Sequence, residues 1–372
     1  MIASPGPSAA RGGRLASLDV LKGFAALWVL LIHADALPGN PLMVYVFNRA
    51  AQIFVVLMGL NAALWWRDRD LGASSTWYRN RFRRLYVPMW CAVAAWWALA
   101  AFAPRVSHVP LGPTLLVKHV AGWIVGIGTG WFVTLAIAVA LAFPLLVVAS
   151  RRVGAWPLVA LGVASTCACF TYRYELLDRL GMFGWFAFPP RLLAHVTFGM
   201  ALAPFIRTVG RRAGFAAAAV FAVYLAVPLA LGARAPWQLV PRENLAASSA
   251  TACAQRLMDL PVTVLLLLAC RPIARVALFA RPLGWLGNES YGIYLGQMIT
   301  HNAITMYFGF AAVRDAIGAG GYAGVLLAGA LAWVALGHAA RRALPPLVDA
   351  VGARRWSAAA THAFGRGMRN RA

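Results

Sequence analysis

The sequence predicts an all-α protein, a polytopic transmembrane helix bundle of about ten membrane-spanning helices with both termini cytoplasmic. Three observations lead there. Hydrophobic residues make up 61% of the 372 and charged residues only 12%, a balance that leaves too little polar surface to solvate a globule of this size. The apolar residues gather in runs of about 20, the length a helix needs to cross a bilayer. The basic residues are unevenly placed: 24 of the 34 Lys and Arg fall in the stretches on the side that carries both termini. By the positive-inside rule that side is cytoplasmic.

Taken in order, the expected helices lie near 18–36, 43–66, 86–103, 131–149, 155–170, 191–206, 214–231, 259–270, 285–310 and 322–340. The first lacks a small-x-small cleavage site before the next loop, so it reads as a retained helix and not a removed signal peptide. The second opens with Asn48, Arg49 and Gln52, and the third follows a run of arginines at 79, 81, 83 and 84. Between the third and fourth, residues 113–128 are apolar enough to touch lipid but hold Lys118, His119 and nearby Gly and Pro; an interfacial or re-entrant segment on the outer side is expected. The eighth helix is short and has to begin near Arg256 to cross. No internal repeat and no low-complexity linker divides the chain. The expected organisation is a disordered N-terminal segment at 1–13, one membrane domain at 14–345 and a basic cytoplasmic tail at 346–372.

The net charge of +23 could suggest nucleic acid, but its distribution fits a topogenic signal and attraction to anionic membrane lipids instead. No nucleic-acid partner is expected. The five cysteines, Cys91, Cys167, Cys169, Cys253 and Cys270, lack metal-ligand spacing and read as packing residues. No metal and no resident cofactor are implied.

The stretch from Arg14 to His33, RLASLDVLKGFAALWVLLIH, carries the most chemistry. Lys22 and His33 stand eleven residues apart, about three helical turns and about 16 Å of rise, so both side chains lie on one face. Asp19 sits three residues before Lys22 on that face and can orient it. A charge near one membrane surface is thereby aligned with an imidazole near the other. A lone histidine in a membrane helix can be a simple helix-helix hydrogen-bond partner, yet polar groups at depth are costly and tend to be functional. For His119, His195, His301 and His338 the structural or interfacial reading is preferred.

Five stretches, in order, resemble the type 3 membrane acyltransferases, which O-acylate sugars and other secreted acceptors. LDVLKGFAALWVLLIH resembles the family's LDxLRG followed by a histidine, with Lys22 in place of arginine. QIFVVLMGL (52–60) resembles its FFVLSGF segment, WYRNRFRRLYVP (77–88) its RRxxRLxP turn, GWFVTLAIAVALAFPLL (130–146) its WFL helix, and LGNESYGIYLGQ (286–297) its LGxxSYxxYLxH segment. Gln297 stands where that last motif ends in histidine; His301, one turn further, faces the same way and is placed to take over part of its role. The resemblance implies acyl transfer across the bilayer, with cytoplasmic acyl-coenzyme A, acetyl-coenzyme A first among them, as co-substrate. Lys22, Arg79, Arg81, Arg83 and Arg84 would hold the coenzyme phosphates, and His33 would be the general base. Asn48, Arg49, Gln52, Tyr291 and Gln297 are orienting or oxyanion candidates. Tyr291 and Tyr294 read more simply as packing residues with satisfied hydroxyls.

The implied acceptor is a hydroxyl of an extracytoplasmic glycan, shaped by the outer loops, where Trp123, Trp185 and Trp237 serve as interfacial anchors or stack on sugar faces. From the length, an appended extracytoplasmic domain of the kind some family members carry is not expected. The expected location is a bacterial-type inner membrane. A transporter or flippase for a glycan or anionic solute is the alternative; the missing repeat and the few acidic residues within helices weigh against it.

Overall fold

A computed structural model describes residues 15–34, 49–103, 112–125, 127, 130–230 and 249–343. The segments expected at 1–13 and 346–372, together with Asn48 and Trp237, lie outside the described residues. The described elements are helical throughout: α1 (Ala16–His33), α2 (Ala50–Trp66), α3 (Ser74–Arg81), α4 (Val87–Phe102), α5 (Pro113–Val120), α6 (Trp131–Val153), α7 (Ala155–Thr171) and α8 (Arg173–Ala187), then α9 (Leu193–Leu202), α10 (Arg211–Ala230), α11 (Ser249–Leu257), α12 (Asp259–Ile273), α13 (Ala277–Asn288), α14 (Ser290–Tyr307) and α15 (Phe310–Ala343). Large apolar side chains that point out of the bundle, among them Phe102, Leu145, Phe215 and Leu278, fit a surface wetted by lipid.

The span count is lower than the sequence reading. Five helical stretches among the described residues are long and apolar enough to cross a membrane: Ala16–His33, Leu71–Phe102, Trp131–Val153, Ala252–Ile273 and Phe310–Ala340. A sixth appears if α7 and α8, bent by 89°, form one broken span. Prolines bound one of the shorter helices. Pro189 and Pro190 cannot donate backbone hydrogen bonds, the chain there takes a tighter turn at Pro189–Leu192, and α9 runs only ten residues. The expected helix at 285–310 is likewise interrupted at Glu289. Conversely, the expected outer loop at 171–190 is largely helix α8, kinked at Gly181 where φ is +68°. Its charges Arg173, Glu175, Asp178 and Arg179 conceal the helix from an apolarity reading. The short eighth helix gains its length from α11, which begins at Ser249, ahead of Arg256.

Helices in lipid gain little from burying apolar area against each other, so close backbone approach has to supply the contact. Two glycine pairs do this. A Cβ on Gly23 of α1 would strike the Leu283 carbonyl of α13, and one on Gly287 of α13 would strike the Asp19 carbonyl of α1. Gly59 of α2 and Gly199 of α9 stand in the same relation to the Val196 and Val56 carbonyls. The first pair docks the LDVLKG stretch directly on the LGNESY stretch.

Prolines create the other joints. Pro144 inside α6 has no N–H for the Ala140 carbonyl one turn back; the Trp77 indole donates to that carbonyl at 2.9 Å, and the Tyr78 hydroxyl donates to Leu141 O at 3.0 Å. The arginine turn is thereby pegged to α6. Near Pro88 the preceding residues, Phe82–Tyr86, widen into a π-helical turn, and π turns leave backbone groups displaced from the α ladder. The Tyr291 hydroxyl donates to Leu85 O in that turn at 2.9 Å, and Tyr307 donates to Leu99 O at 2.9 Å. Helix α14 is thus fastened along α4 at both ends, running parallel to it. It also pairs antiparallel with α15: His338 Nε2 meets Glu289 Oε1 at 3.3 Å at one end, and His301 meets Tyr322 at the other.

Candidate active site

Helix α1 presents its two chemical groups at opposite ends of these joints. At the first end Lys22 Nζ donates to Asp19 Oδ1 at 3.3 Å, an i to i+3 pair in which Lys22 stays half-buried and Asp19 is buried. Gly23 and Gly287 seat this turn against the α13–α14 junction. Two residues past that junction begins Tyr291, whose hydroxyl reaches the arginine turn. Lys22 and the arginine turn therefore flank the same LGNESY segment from two sides. Arg79 and Arg84 are exposed, Arg81 and Arg83 half-buried, and the Arg81 guanidinium lies over the Trp77 ring at 4.1 Å. The turn is thus a cluster of four cations in which Arg81 is held by cation–π contact and Arg79 and Arg84 face outward.

At the other end, His33 closes α1 where three helices meet. Leu30 and Ala34 pack with Ile304 of α14 and with Tyr322, Ala323 and Leu326 of α15. His301 lies one turn before Ile304 on the same face of α14, and it comes within electrostatic reach of His33. Its Nδ1 shares a 2.9 Å hydrogen bond with the fully buried Tyr322 hydroxyl. The ring is further bounded by Phe310 at 5.5 Å between centroids and by Tyr322 at 6.2 Å, edge on. Both residues are half-buried.

The remaining candidates are distributed differently. The Arg49 guanidinium pairs with the Asp259 carboxylate and donates to Gln255 O at 2.9 Å. His195 Nε2 meets the other Asp259 oxygen at 3.3 Å. Both Asp259 and His195 are fully enclosed, and the network ties the starts of α2, α9 and α12 together. Gln52 is buried in the first turn of α2. Tyr291 spends its hydroxyl on Leu85, ten residues and about 15 Å of helix rise from His301. Gln297 is 2% exposed, and its Oε1 has no hydrogen-bond partner among the described residues.

His119 is satisfied on both sides: the Trp97 indole donates to Nδ1 at 3.1 Å, which places the imidazole proton on Nε2, donating to Val125 O at 2.7 Å. Burial holds its pKa below the ordinary histidine value, partly opposed by the Val125 carbonyl. Trp185 is buried against Phe170 with Arg191 over its ring at 5.2 Å, so it is not free to stack on a sugar. Trp123 is 39% exposed and pairs edge on with Phe183. The sequence reading missed Tyr322 and the Asp259 network, because neither partner lies near its counterpart in the chain.

An all-helical chain with spans long and apolar enough to cross a membrane belongs to the class of integral membrane proteins. The family comparison specifies it further. The model of the acyltransferase domain family matches residues 15–338, and the chain belongs to the type 3 acyltransferases. A search of curated proteins and a search of solved structures found no match.

Proposed function

We propose that this membrane acyltransferase takes an acyl group, acetyl or a similar short one, from cytoplasmic acyl-coenzyme A and passes it to a hydroxyl of an extracytoplasmic acceptor, a sugar of a surface or secreted glycan. The observation that carries the reading is the single helix α1, whose Lys22 turn is docked on the α13–α14 junction while its His33 end packs against α14 and α15. In this reading Lys22, Arg79, Arg81, Arg83 and Arg84 pair with the coenzyme phosphates from the cytoplasmic side. The thioester arm extends up the bundle, and His33 removes the proton of the acceptor hydroxyl as it attacks the thioester carbonyl. The termini are cytoplasmic and the protein sits in a bacterial-type inner membrane, consistent with the charge bias.

The test uses radiolabelled acetyl-coenzyme A, purified protein in detergent, and envelopes from a strain lacking the gene. Label should pass into alkali-labile ester in the envelope material with the intact chain. Equilibration of a glycan or anion across vesicles without any ester formation would instead make the protein a carrier. Topology is checked with cysteines placed at Gly318 and Gly72: an impermeant reagent added outside should label the first and not the second, and the reverse result would remove the cytoplasmic donor.

A further inference from the structure

The acyl transfer proposed above needs a hydrogen-bond donor for the charge that develops on the thioester oxygen, and two of the residues the sequence offers for it are engaged elsewhere. Arg49 is engaged by Asp259 and Gln255, and the Tyr291 hydroxyl is held by Leu85 at the far end of α14. What does stand opposite His33 is a second imidazole. We infer that His301 supplies the oxyanion donor, with Tyr322 as the residue that positions it, an inference that rests on the reading of His33 as general base.

The chemistry follows from the tautomer. A hydroxyl hydrogen donated by Tyr322 to His301 Nδ1, over the observed 2.9 Å, leaves the single imidazole proton on Nε2. Among the described residues that Nε2–H has no hydrogen-bond partner, and the ring is flanked by Tyr322 and Phe310. Ile304, one turn along α14 from His301, packs in one cluster with Leu30 and Ala34 of α1, so the surfaces bearing His301 and His33 face each other across the α1–α14–α15 junction. A neutral imidazole held as a donor is an effective electrophile in a site where water is scarce.

In the transfer step the acceptor oxygen forms a bond to the thioester carbon while its proton passes to His33. The carbonyl π pair moves onto oxygen, where His301 Nε2–H donates. Collapse of the tetrahedral species restores the C=O bond and breaks the C–S bond; the departing coenzyme thiolate takes the proton back from the His33 imidazolium. Atoms and charges balance, and both histidines end as they began.

His301→Leu, His301→Gln and Tyr322→Phe test this in the radiolabel assay, beside His33→Gln. Glutamine can place an amide N–H near the position of Nε2, whereas leucine offers none. His301→Leu should lose about 10² to 10³ in kcat, the worth of one oxyanion donor, with KM for acetyl-coenzyme A unchanged. His301→Gln should recover most of that loss. Tyr322→Phe should fall by about tenfold or less, the worth of one neutral hydrogen bond. Retained coenzyme A binding shows that each variant is folded. Wild-type kcat in a folded His301→Leu protein, or failure of glutamine to restore more than another apolar substitution does, would overturn the inference. Wild-type transfer by His33→Gln would overturn the underlying reading instead.

Discussion

Two of the polar clusters that contain histidine are built on different plans. His33 and His301 lie half-buried at a junction of three helices, where, among the described residues, His301 makes one side-chain hydrogen bond, from Nδ1 to Tyr322. His195 is enclosed completely and faces a carboxylate that is already neutralised by Arg49. An imidazole that must meet a substrate needs access and an uncommitted nitrogen. One that must hold helices together in lipid needs its charges compensated, because an unpaired ion there costs several kcal/mol. Access and charge compensation, and no motif, are what distinguish the proposed reacting site from the enclosed network.

The sharpest break in that comparison comes from exchanging each histidine for glutamine. His33→Gln keeps a hydrogen-bonding side chain but cannot take a proton at neutral pH, so turnover should fall by about 10² to 10⁴, with coenzyme A binding retained. His195→Gln can still donate to Asp259, and transfer per folded molecule should stay near wild type. A folded His195→Gln protein with no transfer would make the Asp259 network part of the chemistry.

Asp259→Ala addresses the clamp itself. Removing the carboxylate strands the Arg49 guanidinium in a buried position, which should cost about 3 to 5 kcal/mol. The thermal midpoint in detergent should drop markedly; an unchanged midpoint would show that the network contributes nothing to holding α2, α9 and α12. At the opposite end of α1, Lys22→Ala should weaken coenzyme A binding about tenfold, since a hydrogen bond to a charged group contributes about 1.5 to 3 kcal/mol. Lys22→Arg should bind as well as the native chain. Equal affinity for the alanine variant would assign Lys22 to topology alone.

His119 gives the smallest expected effect and a control for the other two clusters. Its folded pKa is depressed below the unfolded value of about 6.5. Its contribution to stability is therefore complete above that value and is lost as pH falls toward the folded pKa, because the unfolded chain takes up the proton first. The melting midpoint should decline below about pH 6.5, less steeply in His119→Phe. Identical slopes would mean that other groups carry the acid dependence.

Some of this was legible in the sequence because the informative residues are local. Lys22 and His33 share one helix, so their alignment follows from spacing alone, and Asp19 meets Lys22 through an i to i+3 step. The all-helical character follows from apolar runs that need no partner to interpret. Asp259, by contrast, lies 210 residues from Arg49 and 64 from His195, and only three-dimensional packing brings them together. Tyr322 was missed for the same reason. Fewer spans stand out among the described residues than apolarity suggests partly because Glu289 interrupts a run that composition treats as continuous, while the charges of α8 hide a helix. The joint between Trp77 and the Ala140 carbonyl was readable in principle, since Pro144 must leave an acceptor one turn back, but nothing in the sequence names the donor.

The fastening of α14 at Tyr291 and Tyr307 has a consequence for how the gene can change. Between those two anchors the helix works as a graduated scale, with Gln297 and His301 at fixed marks. Inserting one residue after Tyr291 would turn everything beyond it by about 100° and shift it by about 1.5 Å. His301 would leave Tyr322 and the Tyr307 hydroxyl would miss Leu99 together. The stretch from 292 to 306 should therefore accept altered side chains far more readily than altered length. A library of single substitutions and single insertions across it, scored by ester formation, would separate the two, and frequent active insertions would mean that the scale is not read.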